Sequence, residues 1–265
     1  MHIINLIVLP TMKSYGIIAF VAAFMMLFTS CKCHEKSEYV SYTDTIDVNG
    51  VSLFYAAEGV GKPVILLHGN GGSHNDLETT TRQLAQAGYM VYAIDSRGQG
   101  SNTPLPEYHY KDMAEDVRCF IEAKGLKRPA VFGFSDGGII AIQLEVMYPG
   151  TWSTITTGGA NIFVENALIP EFAATFLTQE NPAPLTRMLM EEPNMTTEEV
   201  ATISCPALIM AGENDLICEE HTRLIANTIA QGECLIIPNA DHGSYIYHNT
   251  LVGEHILQFF ERIGY

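Results

Sequence analysis

From Tyr39 onward, short apolar runs alternate with longer segments in which apolar residues recur at three- and four-residue intervals. The short runs have the length of strands, and the longer ones carry the period of a helix facing a core. Their regular alternation is the pattern of an α/β domain, a mostly parallel sheet flanked by helices. Eight strands are expected, over residues 43–48, 51–57, 63–67, 89–94, 129–134, 154–157, 207–211 and 235–237. The first two flank Asn49-Gly50, a dipeptide suited to a hairpin turn, so the domain should open with an antiparallel pair. The third holds an unbroken Val-Ile-Leu-Leu run, as a strand buried on both faces does. Helices are expected over 77–87, 110–124, 139–147, 222–230 and 250–263, the first two stopped by Gly88 and Gly125.

Residues 162–203 break the alternation. The stretch is far longer than an ordinary connection. It holds apolar helical pieces over 167–177 and 185–190, with prolines at 170, 182, 184 and 193. Between two strands of the sheet, it reads as a small helical lid.

Composition adds compartment and partners. At 265 residues, with 47% hydrophobic and 17% charged side chains, the chain is that of a globular protein. Its first thirty residues stand apart. An uncharged run over 15–28 follows Lys13, the length of a signal-peptide core and short for a membrane span. It ends in Leu27-Phe28-Thr29-Ser30-Cys31, which resembles a bacterial lipoprotein processing site. The expected organisation is a signal peptide over 1–30, a lipidated Cys31 beginning a polar tether over 31–41, and one domain over 42–265. Met12-Lys13 offers an alternative start. The protein should be exported and lipid-anchored in a bacterial cell envelope, touching membrane through the anchor only; plain secretion and an N-terminal membrane anchor are the alternatives. A net charge of −16 argues against nucleic acid or anionic lipid as partners. Cys205 and Cys234 each begin an apolar run; a disulfide between adjacent strands or two buried thiols are both open.

The candidate chemistry centres on Gly133-Phe134-Ser135-Asp136-Gly137-Gly138. It follows the strand over 129–134 and precedes the helical pattern over 139–147, the strand–turn–helix setting in which G-x-S-x-G presents a nucleophile. The turn is so tight that residues two before and two after the serine must lack side chains, hence Gly133 and Gly137. A serine needs a base, and the base an orienting carboxylate. On such a sheet these should follow in the order serine, acid, histidine, at carboxyl ends of strands. Asp215 follows the strand over 207–211, and His242 follows that over 235–237. Glu213 and Asp241 are the competing acids; Asp241 adjoins the histidine and is badly placed to reach it. The oxyanion hole should combine the N–H of Asp136 with that of Asn70, in the loop His68-Gly69-Asn70-Gly71-Gly72. His68 should support this loop rather than move protons. No histidine pair has metal-ligand spacing with cysteine or carboxylate, so neither metal nor cofactor is expected.

Together with Asp95-Ser96-Arg97-Gly98-Gln99-Gly100-Ser101, His68-Gly69, Gly212 to Asp215 and His242-Gly243, these residues resemble the α/β-hydrolase family over nearly all of the chain after residue 40. Within it, Gly133 to Gly138, Gly159-Ala160-Asn161 and Cys205 to Asp215 look most like the valacyclovirase (biphenyl-hydrolase-like) serine hydrolases. The resemblance implies a serine hydrolase, with the Asp95 to Ser101 segment shaping the floor of the site. The expected substrate is a small carboxylic ester, with aminoacyl ester, thioester or amide as variants. Carbon–carbon bond or lactone hydrolysis on the same triad is an alternative, and a non-catalytic binding or sensor lipoprotein another. Asp136 has two readings: its carboxylate recognises a substrate amine, or it serves the N-terminus of the elbow helix.

Overall fold

The computed structural model describes residues 38–265. The apolar run over 15–28, Cys31 and the first part of the expected tether lie outside the described residues. The tether's last residues do not behave as linker: Val40 and Ser41 already pair with Gly59 and Glu58.

The strands are β1 Val40–Val48, β2 Val51–Gly59, β3 Lys62–Leu67, β4 Tyr89–Ile94, β5 Ala130–Phe134, β6 Thr154–Gly158, β7 Ala207–Asn214 and β8 Gly232–Asp241. They form one sheet in the order β1-β2-β4-β3-β5-β6-β7-β8. The β1–β2 hairpin turns at Asn49 and Gly50, both at positive φ, and β2 runs antiparallel to β4; every later pair is parallel. The α/β fold with an eight-stranded, mostly parallel sheet is therefore the one expected.

The helices are α1 Glu78–Gln86, α2 Tyr110–Ala123, α3 Asp136–Met147, α4 Pro170–Phe176, α5 Pro184–Glu191, α6 Thr197–Val200, α7 Glu219–Thr228 and α8 Leu251–Ile263. They cover both faces of the sheet. Alternate residues of one strand serve opposite cores: Val64 and Leu66 pack with α1 and α8, Ile65 and Leu67 with α2 and α3. In α8 the buried Val252, Ile256, Phe259 and Phe260 fall at helical spacing along one stripe. Helix α3 is buried from Asp136 through Glu145, which explains why its apolar residues Ile139 to Ile142 and Leu144 form no single stripe.

The connection from β6 to β7 carries α4, α5 and α6. Proline begins α4 and α5, where a missing N–H costs nothing and φ is already set. Cys205 and Cys234 are both free thiols. β7 and β8 are adjacent and parallel, but Ile209 lies opposite Cys234. Cys205 is four residues earlier, about 13 Å along the strand direction, beyond disulfide reach.

Candidate active site

β5 runs into α3 through Ser135, whose backbone is at φ 52, ψ −115. A non-glycine residue there costs on the order of 1–3 kcal/mol and persists only because its surroundings over-determine it. A Cβ on Gly133 would lie 2.2 Å from Gly137 O, and one on Gly137 would lie 2.1 Å from Leu67 O. Both glycines are thus required by contact, as the motif implied.

The strand register brings acid and base together. β7 and β8 end on the pair Asn214–Asp241, after an irregularity at Gly212. Asp215 and His242 are the next residue of each chain. Asp215 Oδ1 is 2.5 Å from His242 Nδ1, and His242 Nε2 is 3.1 Å from Ser135 Oγ. The Asp215 carboxylate is buried and also accepts from the N–H groups of Gly212 and Ile217. It is therefore held as an acceptor, so His242 Nδ1 carries the proton and Nε2 is free to accept from the Ser135 hydroxyl. The competing acids point elsewhere. Glu213 accepts from Asn239 N–H; Asp241 is exposed and accepts from Gly243 and Ser244 N–H, which lowers its pKa.

The loop after β3 lies against the elbow: a Cβ on Gly69 would sit 3.3 Å from Ser135 Cβ. His68 is buried, and burial lowers its pKa. Its Nε2 accepts from Ser96 N–H at 2.9 Å, so Nδ1–H donates to Gly69 O at 2.7 Å. It ties two loops together, with both ring nitrogens engaged by backbone groups. Gln99 Oε1 accepts from Gly71 N–H, and the buried Asp95 accepts from the N–H groups of His74 and Ser101, so the segment 95–101 braces the loop after β3. Among the described residues, the N–H groups of Asn70 and Asp136 have no protein acceptor. Asp136 opens α3, where the helix dipole favours negative charge, and Asn70 lines the same cavity as Ser135.

A cavity of about 220 Å³ opens on Ser135 and His242. Its walls include Val164, Leu168, Phe172, Phe176 and Leu189 from the 162–203 stretch, with Leu216, Ile217, Phe134 and Tyr247. Among the described residues, no ionisable side chain other than His242 and the Tyr247 phenol lines it. Among the described residues, no cluster of three His, Cys, Asp or Glu side chains is arranged to hold a metal ion.

The carboxylate of Asp136 is absent from those walls. It is 1% exposed and accepts from Asn70 Nδ2 at 2.9 Å and from the Tyr110 hydroxyl at 2.8 Å. A contact with a substrate amine, one of its two readings, is not the one the geometry makes. Nor does the carboxylate cap its own helix, since both oxygens are engaged by other elements. Tyr110 carried no role in the sequence; its place in a helical stripe gave no sign that its hydroxyl meets Asp136. Phe172 and Phe176 were legible only as an apolar pair at helical spacing; their rings stack at 5.1 Å over the cavity.

Residues 62–185 match the family model of the α/β hydrolase fold. The chain is 25% identical to the AB hydrolase superfamily protein YisY of Bacillus subtilis (strain 168), across 79% of this chain and 95% of that one. It is 26% identical to the human serine hydrolase BPHL, across 76% of this chain and 80% of that one. A thermophilic esterase from Thermogutta terrifontis superposes with a TM-score of 0.68 at 20% identity, covering 86% of this chain and 99% of that one. With the strand order, the sharp elbow at Ser135 and the sequence match agreeing, the chain has the α/β-hydrolase fold.

Proposed function

We propose that this protein is a serine hydrolase that cleaves small carboxylic esters with an uncharged acyl group. The observation that carries the reading is the continuous relay from Ser135 Oγ through His242 to a buried Asp215, opening on an apolar cavity. Ser135 attacks the ester carbonyl while His242 Nε2 takes its proton. The N–H groups of Asn70 and Asp136 hold the oxyanion of the tetrahedral intermediate, and Asp215 stabilises the imidazolium. Collapse breaks the ester C–O bond, and His242 returns the proton to the departing alcohol. Water, deprotonated by the same histidine, then attacks the acyl-enzyme and releases the carboxylic acid.

The cavity sets the substrate class. At about 220 Å³ it falls below the volume of pockets that enclose drug-sized ligands, roughly 300–1,000 Å³. A charged acyl group would lose its hydration there with no counter-charge. Within the family, the likeness to the human serine hydrolase BPHL supports a place near that group. The buried Asp136 separates this chain from an aminoacyl-ester preference. The stretch 162–203 acts as the lid, since it supplies much of the cavity wall. The apolar run and Cys31 support export and lipid anchoring, so the enzyme works on the envelope side of a membrane.

A fluorophosphonate probe tests the reading. The expected result is covalent labelling of the purified protein that is lost in Ser135→Ala, together with hydrolysis of p-nitrophenyl acetate. Labelling that persists in Ser135→Ala overturns the assignment.

A further inference from the structure

A carboxylate without a cationic partner is expensive to bury, by several kcal/mol before hydrogen bonds offset it. Asp136 is such a group: burial raises its pKa to about 6, and its hydrogen-bond donors are the neutral Asn70 amide and Tyr110 hydroxyl. Three elements meet at this point, the loop after β3, helix α2 and the first turn of α3. Tyr110 is 1% exposed, and its phenol is pushed well above the usual range, by burial first and then by Asp136, so it stays a donor. Asn70 sits between Gly69 and Gly71, the latter at φ 69, in a stretch with little stiffness of its own. Its neighbours are tethered through Gly71 N–H and Gly69 O. Asn70 itself is tethered through its side chain to Asp136.

The geometry points to Asp136 and Tyr110 as positioning residues that fix Asn70, and so set the separation of the two N–H groups that receive the oxyanion. This rests on the serine-hydrolase reading above. Asp136 then contributes twice, by its own N–H and by the carboxylate that locks the other donor in place. The lock acts on the transition state. A ground-state ester needs little from the oxyanion hole, whereas a donor displaced by about 1 Å can cost on the order of 10²-fold in rate.

Steady-state kinetics on p-nitrophenyl acetate and butyrate test it, with active enzyme counted by fluorophosphonate titration. Asn70→Ala keeps the backbone N–H and removes only the tether. It should lower kcat about 10- to 100-fold and leave KM within about twofold. Asp136→Ala should do the same, and the double variant should be no worse than the poorer single, because both remove one link. Asp136→Asn should recover most of the loss, since an amide can accept from Tyr110 and donate to a flipped Asn70 amide. Tyr110→Phe should fall between. An Asn70→Ala variant with kcat within about twofold of the parent overturns the proposal, as do fully additive losses in the double variant. A loss in Asp136→Ala confined to free-amine esters also overturns it, in favour of amine recognition. Turnover that survives Ser135→Ala would instead remove the hydrolase reading beneath it, so the two failures are distinguishable.

Discussion

The Cα of Gly159 faces the His242 imidazole so closely that a Cβ there would stand 2.6 Å from Cε1 and 2.8 Å from Nδ1. Gly159 follows β6, between the strand that carries the nucleophile and the strand that carries the acid, and it sits at φ 63. Its missing side chain is the space the ring occupies. Gly159→Ala should push the imidazole off the line between Asp215 and Ser135. The expected result is a kcat lowered by about 10²-fold with KM little changed. Near-parental kcat for this variant would mean that the ring has room the geometry does not show.

Asp215 should be intolerant even of its own amide. Its two oxygens accept from Gly212 N–H, Ile217 N–H and His242 Nδ1–H. In Asp215→Asn an NH₂ must face one of these donors, or the imidazole must adopt the other tautomer. Ester turnover should fall by roughly 10³- to 10⁴-fold. Steady-state kinetics check it, with thermal unfolding to confirm that the variant folds.

Acyl-chain preference should follow the aromatic wall of the cavity. Phe176 stacks on Phe172 and lines the same space as Ser135. Phe176→Ala lengthens that space without touching the triad. The ratio of kcat/KM for hexanoate over acetate p-nitrophenyl esters should rise by about tenfold or more, given what one or two methylenes contribute in an apolar pocket. An unchanged ratio would place the acyl group elsewhere.

Acid should weaken the fold through His221. The ring is 4% exposed on α7, its Nε2 accepts from Ile162 N–H at 3.0 Å, and burial lowers its pKa from 6.5 to about 4. The unfolded chain therefore binds a proton before the folded one does, and stability falls as pH drops from 6.5 towards 4. The span corresponds to about 3 kcal/mol at most. Asp136 acts in the opposite sense: its folded pKa, about 6, lies above the ordinary carboxylate value, so stability falls as pH rises between 3.8 and 6. Urea unfolding at pH 7 and pH 4.5 separates the two when the parent is compared with His221→Gln. The variant should lose less stability on acidification; equal losses would exclude His221 as the cause.

Local chemistry made much of this molecule legible in advance. The elbow could be read because its demands are local: a strand, a turn too tight for side chains at Gly133 and Gly137, then a helix. The strand ends at Asp215 and His242 could be read because apolar runs stop there. What stayed open depended on register or on how distant elements pack. Cys205 and Cys234 were adjacent in strand order yet four residues out of step. No role for His221 could be read from the sequence; the packing of Ile162 and Phe163 buries it. The last two residues of the supposed tether were taken up by β1, because the edge of β2 offered them partners.

Asp136 marks the division most clearly. The sequence by itself determined that an acid follows the nucleophile and that a serine, an acid and a histidine come in order at strand ends, since such features depend on neighbours a few residues away. Whether that acid faces substrate or interior was decided by tertiary structure alone. Helix α2 brings the Tyr110 hydroxyl, and the loop after β3 brings the Asn70 amide, from 26 and 66 residues away. A buried carboxylate goes where its donors are. That choice left the cavity, among the described residues, without a counter-charge for an amine, and the proposed substrate class rests on it.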